Sequence, residues 1–231
     1  DGVMNYTFAW AAMSFFGSET LRPDYQHDQL TLEPLDAPAF ARIIDHVHGL
    51  YDWEINCTQL NLLDSHDMAR ALWIMGEDRS ALRLCVLFQM TMPGAPCIYY
   101  GDEIGLSSAG DPYCRAAFPW QAESTWDKDL LAFYRRATAL RHRYPVLRTG
   151  TYELLQAKGM VYAFRRRLDG QQAVVVFNAG SASASLAIPP SGTIGPGWTP
   201  AWLEGAAALH RAAGDALWLH LPARGAAVLV S

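Results

Sequence analysis

The stretch "NLLDSHDMAR", residues 61–70, sets an apolar run directly against a knot of polar groups. Leu62 and Leu63 are core residues by type. Asp64, Ser65, His66 and Asp67 follow at once, and the first basic residue is Arg70. This pattern predicts a short buried strand, Leu60–Leu63, whose carboxyl end opens onto a cleft. A second stretch repeats it: "APCIYYGDE", residues 95–103, is apolar without alternation and ends in Asp102 and Glu103. Strands of that texture are usually buried on both faces, as in parallel α/β sheets. In a parallel barrel, the groups just past a strand's carboxyl end face the active site.

Helical patterns lie between these strands. "TFAWAAMSFFG" predicts a short helix with Thr7 as N-cap and Gly17 as its stop, after a strand over Asp1–Tyr6. "DAPAFARIIDHVHGLY" predicts a second, capped by Asp36, with Phe40, Ile43, Ile44, Val47 and Leu50 on its apolar face. Its His46 and His48 are two residues apart and do not share a face, so they read as solvated or packed side chains. "DRSALRLCVLFQM" and "TWDKDLLAFYRRATALRHRY" predict two more. After Pro145 the texture changes to short strands between Gly, Pro and Ser clusters, with a turn at Asp169–Gly170. The organisation expected is an α/β unit over residues 1–148 and an all-β antiparallel unit over 149–231.

The 231 residues are 51% apolar and 18% charged, an ordinary globular composition. A net charge of -5 argues against nucleic acid or an anionic membrane as partner. The run from Leu84 to Gly101 carries no charge, but Pro93, Gly94 and Pro96 break it into a helix and a strand rather than a membrane span. Cys57, Cys85, Cys97 and Cys114 include no C-x-x-C pair and are too few for a disulfide scaffold. They read as free thiols, which fits a reducing compartment and places the chain in the cytoplasm.

Acids gathered at two neighbouring strand ends suit general acid–base chemistry or stabilisation of a positive transition state. Within the cluster His66 and Asp67 read as site residues. Asp64 reads equally as a helix cap, and Asp102 and Glu103 as structural acids. Asp64, His66 and Asp67 match no metal-ligand spacing, and neither a G-x-S-x-G elbow nor a phosphate-cradling glycine loop occurs.

The motifs carry a resemblance. "LLDSHDMAR" resembles the fourth signature region of the α-amylase family, glycoside hydrolase family thirteen, which follows its seventh barrel strand. "MPGAPCIYYGDEIGL" is similar to the eighth-strand region. "GDPYCRAAFPW" looks like the segment after it in the cyclomaltodextrinase, neopullulanase and maltogenic amylase group, and "DGVMNY" like that group's sixth strand. The resemblance implies the last three βα units of a (β/α)8 barrel, followed by the family's C-terminal β-sandwich. It implies that Asp67 is the transition-state-stabilising carboxylate, that His66 binds the same sugar, and that Asp111 and Arg115 grip the next glucose on the non-reducing side. Tyr99, Tyr100 and Trp120 read as packing residues.

The family's nucleophile and acid/base precede the sixth strand, so the expectation is a C-terminal part of a longer retaining α-glucan hydrolase, inactive by itself. Its partners would be maltooligosaccharide, cyclodextrin or α-glucan substrate, the N-terminal remainder of the enzyme and, as in relatives, a second copy in a homodimer. No cofactor is implied, and the resemblance leaves calcium open. The alternative reading is a non-catalytic module that binds sugar or docks onto a partner.

Overall fold

The computed structural model describes residues 2–27, 30–188, 198–205, 207–211 and 217–231. The first half alternates helices with very short strands. Helix α1 (Tyr6–Phe16) is capped by Asn5, not Thr7: the Asn5 side chain accepts from the Phe8 amide at 3.1 Å. The strand expected over Asp1–Tyr6 shrinks to one parallel bridge between Met4 and Leu60, because the helix is already under way at Tyr6. An antiparallel pair, β1 (Gln26–His27) with β2 (Leu30–Thr31), sits in the loop expected before α2 (Ala37–Gly49). Asp36 caps α2 as expected, accepting from the Ala39 amide at 2.8 Å; Phe40, Ile44 and Val47 are buried, whereas Leu50 is exposed.

A turn of helix, α3 (Trp53–Asn56), leads to β3 (Leu60–Asn61), then α4 (Ala71–Ile74) and α5 (Arg79–Thr91). Strand β4 (Ala95–Pro96) pairs in parallel with β3. So the strand expected over residues 95–103 is paired only at its start. Ile98 and Tyr100 are 38% and 39% exposed, and the expected two-sided burial fails there because among the described residues only β3 covers an edge of β4. Gly94 turns the chain into β4 at φ +111; a Cβ there would lie 2.6 Å from the Asn61 amide nitrogen. The charge-free stretch is thus the last eight residues of α5, a turn and a strand, and no helix among the described residues is long and apolar enough to cross a membrane. Helices α6 (Lys128–Arg143) and α7 (Val146–Thr149) follow.

From Thr151 the chain is strands. Strands β5 (Thr151–Lys158), β6 (Val161–Leu168), β7 (Gln171–Asn178), β12 (Ala226–Val230) and β9 (Thr199–Glu204) form one antiparallel sheet in that order. Strands β10 (Ala208–Arg211), β11 (Leu217–Leu221) and β8 (Ala184–Ile188) form a second. The Asp169–Gly170 turn joins β6 to β7 with φ of 47° and 83°, the left-handed values a two-residue hairpin demands.

The five-stranded sheet is buried on both faces, and side-chain alternation sorts its residues. Val161, Ala163, Val174, Val176, Ala227 and Leu229 face the second sheet with Leu186, Leu219 and Leu221. Tyr162, Phe164, Val175, Phe177, Ala226 and Val228 face the helices and join their core. There Phe88 of α5 stacks on Phe8 at 5.0 Å and meets Phe16, Phe40, Tyr162, Phe164 and Phe177.

Two buried arginines fasten this seam. Arg166, on the same face of β6 as Tyr162 and Phe164, donates to the carbonyls of Thr91, Leu147, Gly150 and Thr151. Arg141 of α6 donates to those of Met90, Met92, Gly94 and Leu147. Most of the acceptors are carbonyls at the ends of α5 and α7, which carry the negative end of each helix dipole; Gly94 lies in the turn before β4 and Thr151 in β5. Replacing Arg166 with Leu should therefore take a donor from four carbonyls, of which Leu147 keeps Arg141, and cost about 2–4 kcal/mol, read as a lower urea midpoint.

His48 of α2 stacks edge-on against Tyr152 at 4.6 Å and Trp53 at 5.9 Å. Burial, helped by the charge of Arg166, pulls its pKa down to about 4. The neutral ring is the folded form. Its contribution is complete above the unfolded value of about 6.5 and is lost as pH falls toward 4. His48→Phe keeps the ring contacts and should flatten the loss of stability between pH 7 and pH 4.5 measured by urea unfolding; an unchanged acid slope would contradict this.

Candidate active site

Strands β3 and β4 end side by side, and their polar ends are fixed from beneath. Gln89 of α5 is buried and donates to the carbonyls of Asn61 and Cys97, both at 2.9 Å. Asn61 receives Asn5 at 3.1 Å and donates to the Pro93 carbonyl at 2.7 Å. The three parallel segments are thus tied by side-chain amides as well as by their few ladder bonds.

Just past the strands lies a buried charged cluster. Arg70 is 1% exposed and donates through Nη1 to Asp102 Oδ1 at 2.9 Å and to the Tyr100 carbonyl at 2.6 Å. Its guanidinium lies over the Tyr99 ring at 4.1 Å. Asp64 is equally enclosed and accepts from the Ala71 amide at 2.6 Å, capping α4. Two carboxyl groups share one cation here. Burial raises the pKa of both, and the charge of Asp64 lifts Asp102 well above the carboxylate range. Arg70 opposes both shifts, and burial outweighs it. The expectation that Asp102 is structural holds, and Asp64 is a helix cap. Glu103 accepts from the Gly101 amide at 2.7 Å, also a local structural bond.

Upon this platform stand the exposed groups. Ser65 Oγ accepts from the Asp67 amide at 3.1 Å and bonds the Tyr6 hydroxyl at 2.9 Å, fixing the turn from both sides. His66 Nε2 lies 3.1 Å from Asp67 Oδ1, with side chains 60% and 53% exposed. Arg115 Nε donates to the His66 carbonyl at 2.9 Å and lies 3.3 Å from Asp111 Oδ1. Buried Cys114 directs its thiol at the same His66 carbonyl, at 3.4 Å. The structure therefore brings His66, Asp67, Asp111 and Arg115 together at one end of the strands. Half-exposed acceptors and donors on a rigid floor can bind hydroxyls of a polar ligand. Among the described residues no group of three or more His, Cys, Asp or Glu is placed to hold a metal ion.

Tyr6 and Cys114 were not found from sequence: each acts through a partner about fifty residues away or more, with no local signal. Trp120 corrects an expectation. It is 71% exposed, not packed, and stands in a surface cluster with Phe118 and Trp126. The helix it was expected to pack on begins only at Lys128, and a one-turn helix at Glu123–Thr125 carries the chain outward first.

Comparison with known proteins gives a consistent picture. The alpha-amylase catalytic-domain family model matches residues 1–124. A cyclomaltodextrinase from a Bacillus species is 38% identical over 188 residues, covering 80% of this chain and 31% of that protein. Neopullulanase 2 of Thermoactinomyces vulgaris is 36% identical over 196 residues, covering 83% of this chain and 31% of its own length. Among solved structures, the native debranching enzyme of Nostoc punctiforme superposes with a TM-score of 0.90 at 37% identity, across 100% of this chain and 48% of that one. The chain spans about a third of the length of these curated relatives.

The buried cluster yields a pH test. Because the folded pKa of Asp102 is raised, its contribution is complete below the unfolded value of about 4 and declines as pH rises toward the folded value. Asp102→Asn imitates the protonated acid, so it should match the parent near pH 4 and exceed it increasingly as pH rises to 9 in urea unfolding. Asp102→Ala should lose about 3 kcal/mol throughout, since it strands Arg70. A parent–Asn difference independent of pH would refute the raised pKa of Asp102.

Proposed function

The chain belongs to the alpha-amylase family, and from that premise we propose that it forms the stabilising wall of a cleft that hydrolyses α-glucans with retention of anomeric configuration. In this reading residues 1–148 are the last three βα units of a (β/α)8 barrel, and residues 149–231 are the C-terminal sandwich. The parallel neighbours Met4, β3 and β4 support the first part, and the two packed antiparallel sheets the second. The names of the relatives point to cyclodextrins and pullulan, hence to α-1,4 and α-1,6 glucosidic linkages.

One observation carries the reading. The Arg115–His66 contact at 2.9 Å joins two exposed ionic pairs, His66–Asp67 and Asp111–Arg115, into one surface at the strand ends. A retaining glycosidase places a nucleophilic carboxylate and an acid/base carboxyl about 5 Å apart across the scissile bond. Its oxocarbenium-like transition state gains from hydrogen bonds that tighten as the ring flattens. Asp67 accepts those bonds from the hydroxyls of the reacting sugar. His66, 3.1 Å from it, orients the carboxylate and donates to the same ring. Asp111 and Arg115 hold the next glucose through an acceptor and a fork of donors. The nucleophile and the acid/base come from residues this chain does not contain. The chemistry is that of carboxylates and requires no metal or organic cofactor. The four free thiols fit a reducing, cytoplasmic setting.

The 231-residue chain should show no turnover of cyclodextrin, pullulan or starch, yet bind maltotriose in a titration followed by NMR. Asp67→Ala and Arg115→Ala should each weaken that binding about tenfold or more. Turnover by the pure chain, or binding indifferent to both changes, would defeat the proposal.

A further inference from the structure

Far from the strand ends, a cleft of about 450 Å³ opens where α6 meets the edge strand β9. Arg136, Arg143 and Tyr144 line one side; Pro200, Trp202 and Leu203 line the other. Both sides belong to this chain, so the site is complete within it and independent of the sugar cleft.

Two features bear on what the cleft takes. First, no acidic residue occurs from Leu130 to Tyr152, a span with five arginines, in a protein of net charge -5. Arg141 is consumed by buried carbonyls, as described above. Arg136 and Arg143 have no carboxylate within salt-bridge distance among the described residues. Second, both guanidinia are already positioned by aromatic rings: Arg136 lies 4.1 Å over Trp202 and Arg143 5.4 Å from the centre of Tyr144. Such stacking reduces the ordering cost of binding an anion.

We propose that this cleft binds a small molecule bearing a phosphoryl group, of the class of a hexose monophosphate. A phosphoryl group offers three acceptor oxygens and close to two negative charges, enough for two guanidinium forks. A carboxylate, with two oxygens, is satisfied by one fork. The cleft volume exceeds what a bare phosphate needs and suits a ligand with a sugar-sized body. The carbonyl end of α6 opposes an anion here. Arg141 already donates into neighbouring helix ends, which leaves the two outer guanidinia free to outweigh it.

The test is isothermal titration of the full chain with glucose 6-phosphate, inorganic phosphate, glucose and citrate. The sugar phosphate should bind most tightly, phosphate more weakly and glucose not at all. The Arg136→Ala/Arg143→Ala double variant should bind at least tenfold more weakly while unfolding at the parent's urea midpoint, since both side chains are exposed. Failure of the parent to bind either phosphate overturns the proposal. So does equal binding by the double variant, or citrate binding as tightly as the sugar phosphate, which would mark mere charge attraction.

Discussion

A guanidinium shut away from water between two carboxyl groups holds the candidate site together. Arg70 reaches from the loop after β3 to Asp102 and to the Tyr100 carbonyl in the loop after β4, and its own amide donates to Ser108 at 3.0 Å. Asp64 caps the helix that begins one residue after Arg70. Two loops from different strands are thus one rigid body. A buried ionic cluster of this kind contributes little net stability relative to an apolar core of the same shape, because desolvation offsets attraction. Its consequence is positional. His66 and Asp67 lie between Asp64 and Arg70 in sequence, so both ends of their short segment are fixed. The exposed pair inherits a geometry that its own single contact with solvent on all sides could not maintain.

That platform in turn rests on the seam between the helices and the five-stranded sheet. Isolated three-strand parallel segments with one or two ladder bonds each would not hold a shape. Here α5 does much of the holding. Its Phe88 lies at the centre of the aromatic cluster, its Gln89 bonds both strand ends, and its last carbonyls receive Arg141 and Arg166. One helix therefore links the sandwich, by packing, to the strand ends, by hydrogen bonds. The sheet is not an appendage to the site but half of the core on which the site is built.

Local signals were legible in the sequence and long-range pairings were not. Asp36, Asp78 and Asp127 cap the helices that follow them, and the Asp169–Gly170 turn adopts its left-handed pair, because each depends on neighbours within four residues. The His66–Asp67 pair was legible for the same reason, and Asp111 with Arg115 only through the family resemblance of the segment that carries them. What depends on residues brought from afar was hidden. Nothing near Asp64 discloses that Asp102 will lie beside it, thirty-eight positions later in the printed chain. Nothing near Tyr6 points to Ser65. The uniformly apolar texture of residues 95–100 predicted a longer buried strand than exists, since texture reports the character of a face and not whether another strand lies against it. Trp120 was misread for a related reason: aromatic type suggests packing, but the extra one-turn helix after it delays the element that would have covered it.

The four acids at the strand ends divide by what surrounds them, and the division decides which can meet a substrate. Burial and the neighbouring Asp64 raise the pKa of Asp102, the direction a general acid needs, yet both groups are sealed from solvent. Delivering a proton from Asp102 to a ligand would leave two buried negative charges with only Arg70 to balance them, a cost of several kcal/mol. Glu103 is engaged by the backbone amide of Gly101. Only Asp67 is both exposed and held, with its amide on Ser65 and its carboxylate against His66. A lone carboxylate of this kind can stabilise positive charge and accept hydroxyl hydrogen bonds, but it cannot at once attack one face of a sugar and protonate the leaving group on the other. In the proposed function, the interior chemistry of the strand ends, rather than any count of acids, therefore leaves Asp67 the part of holding the sugar as its ring becomes positive.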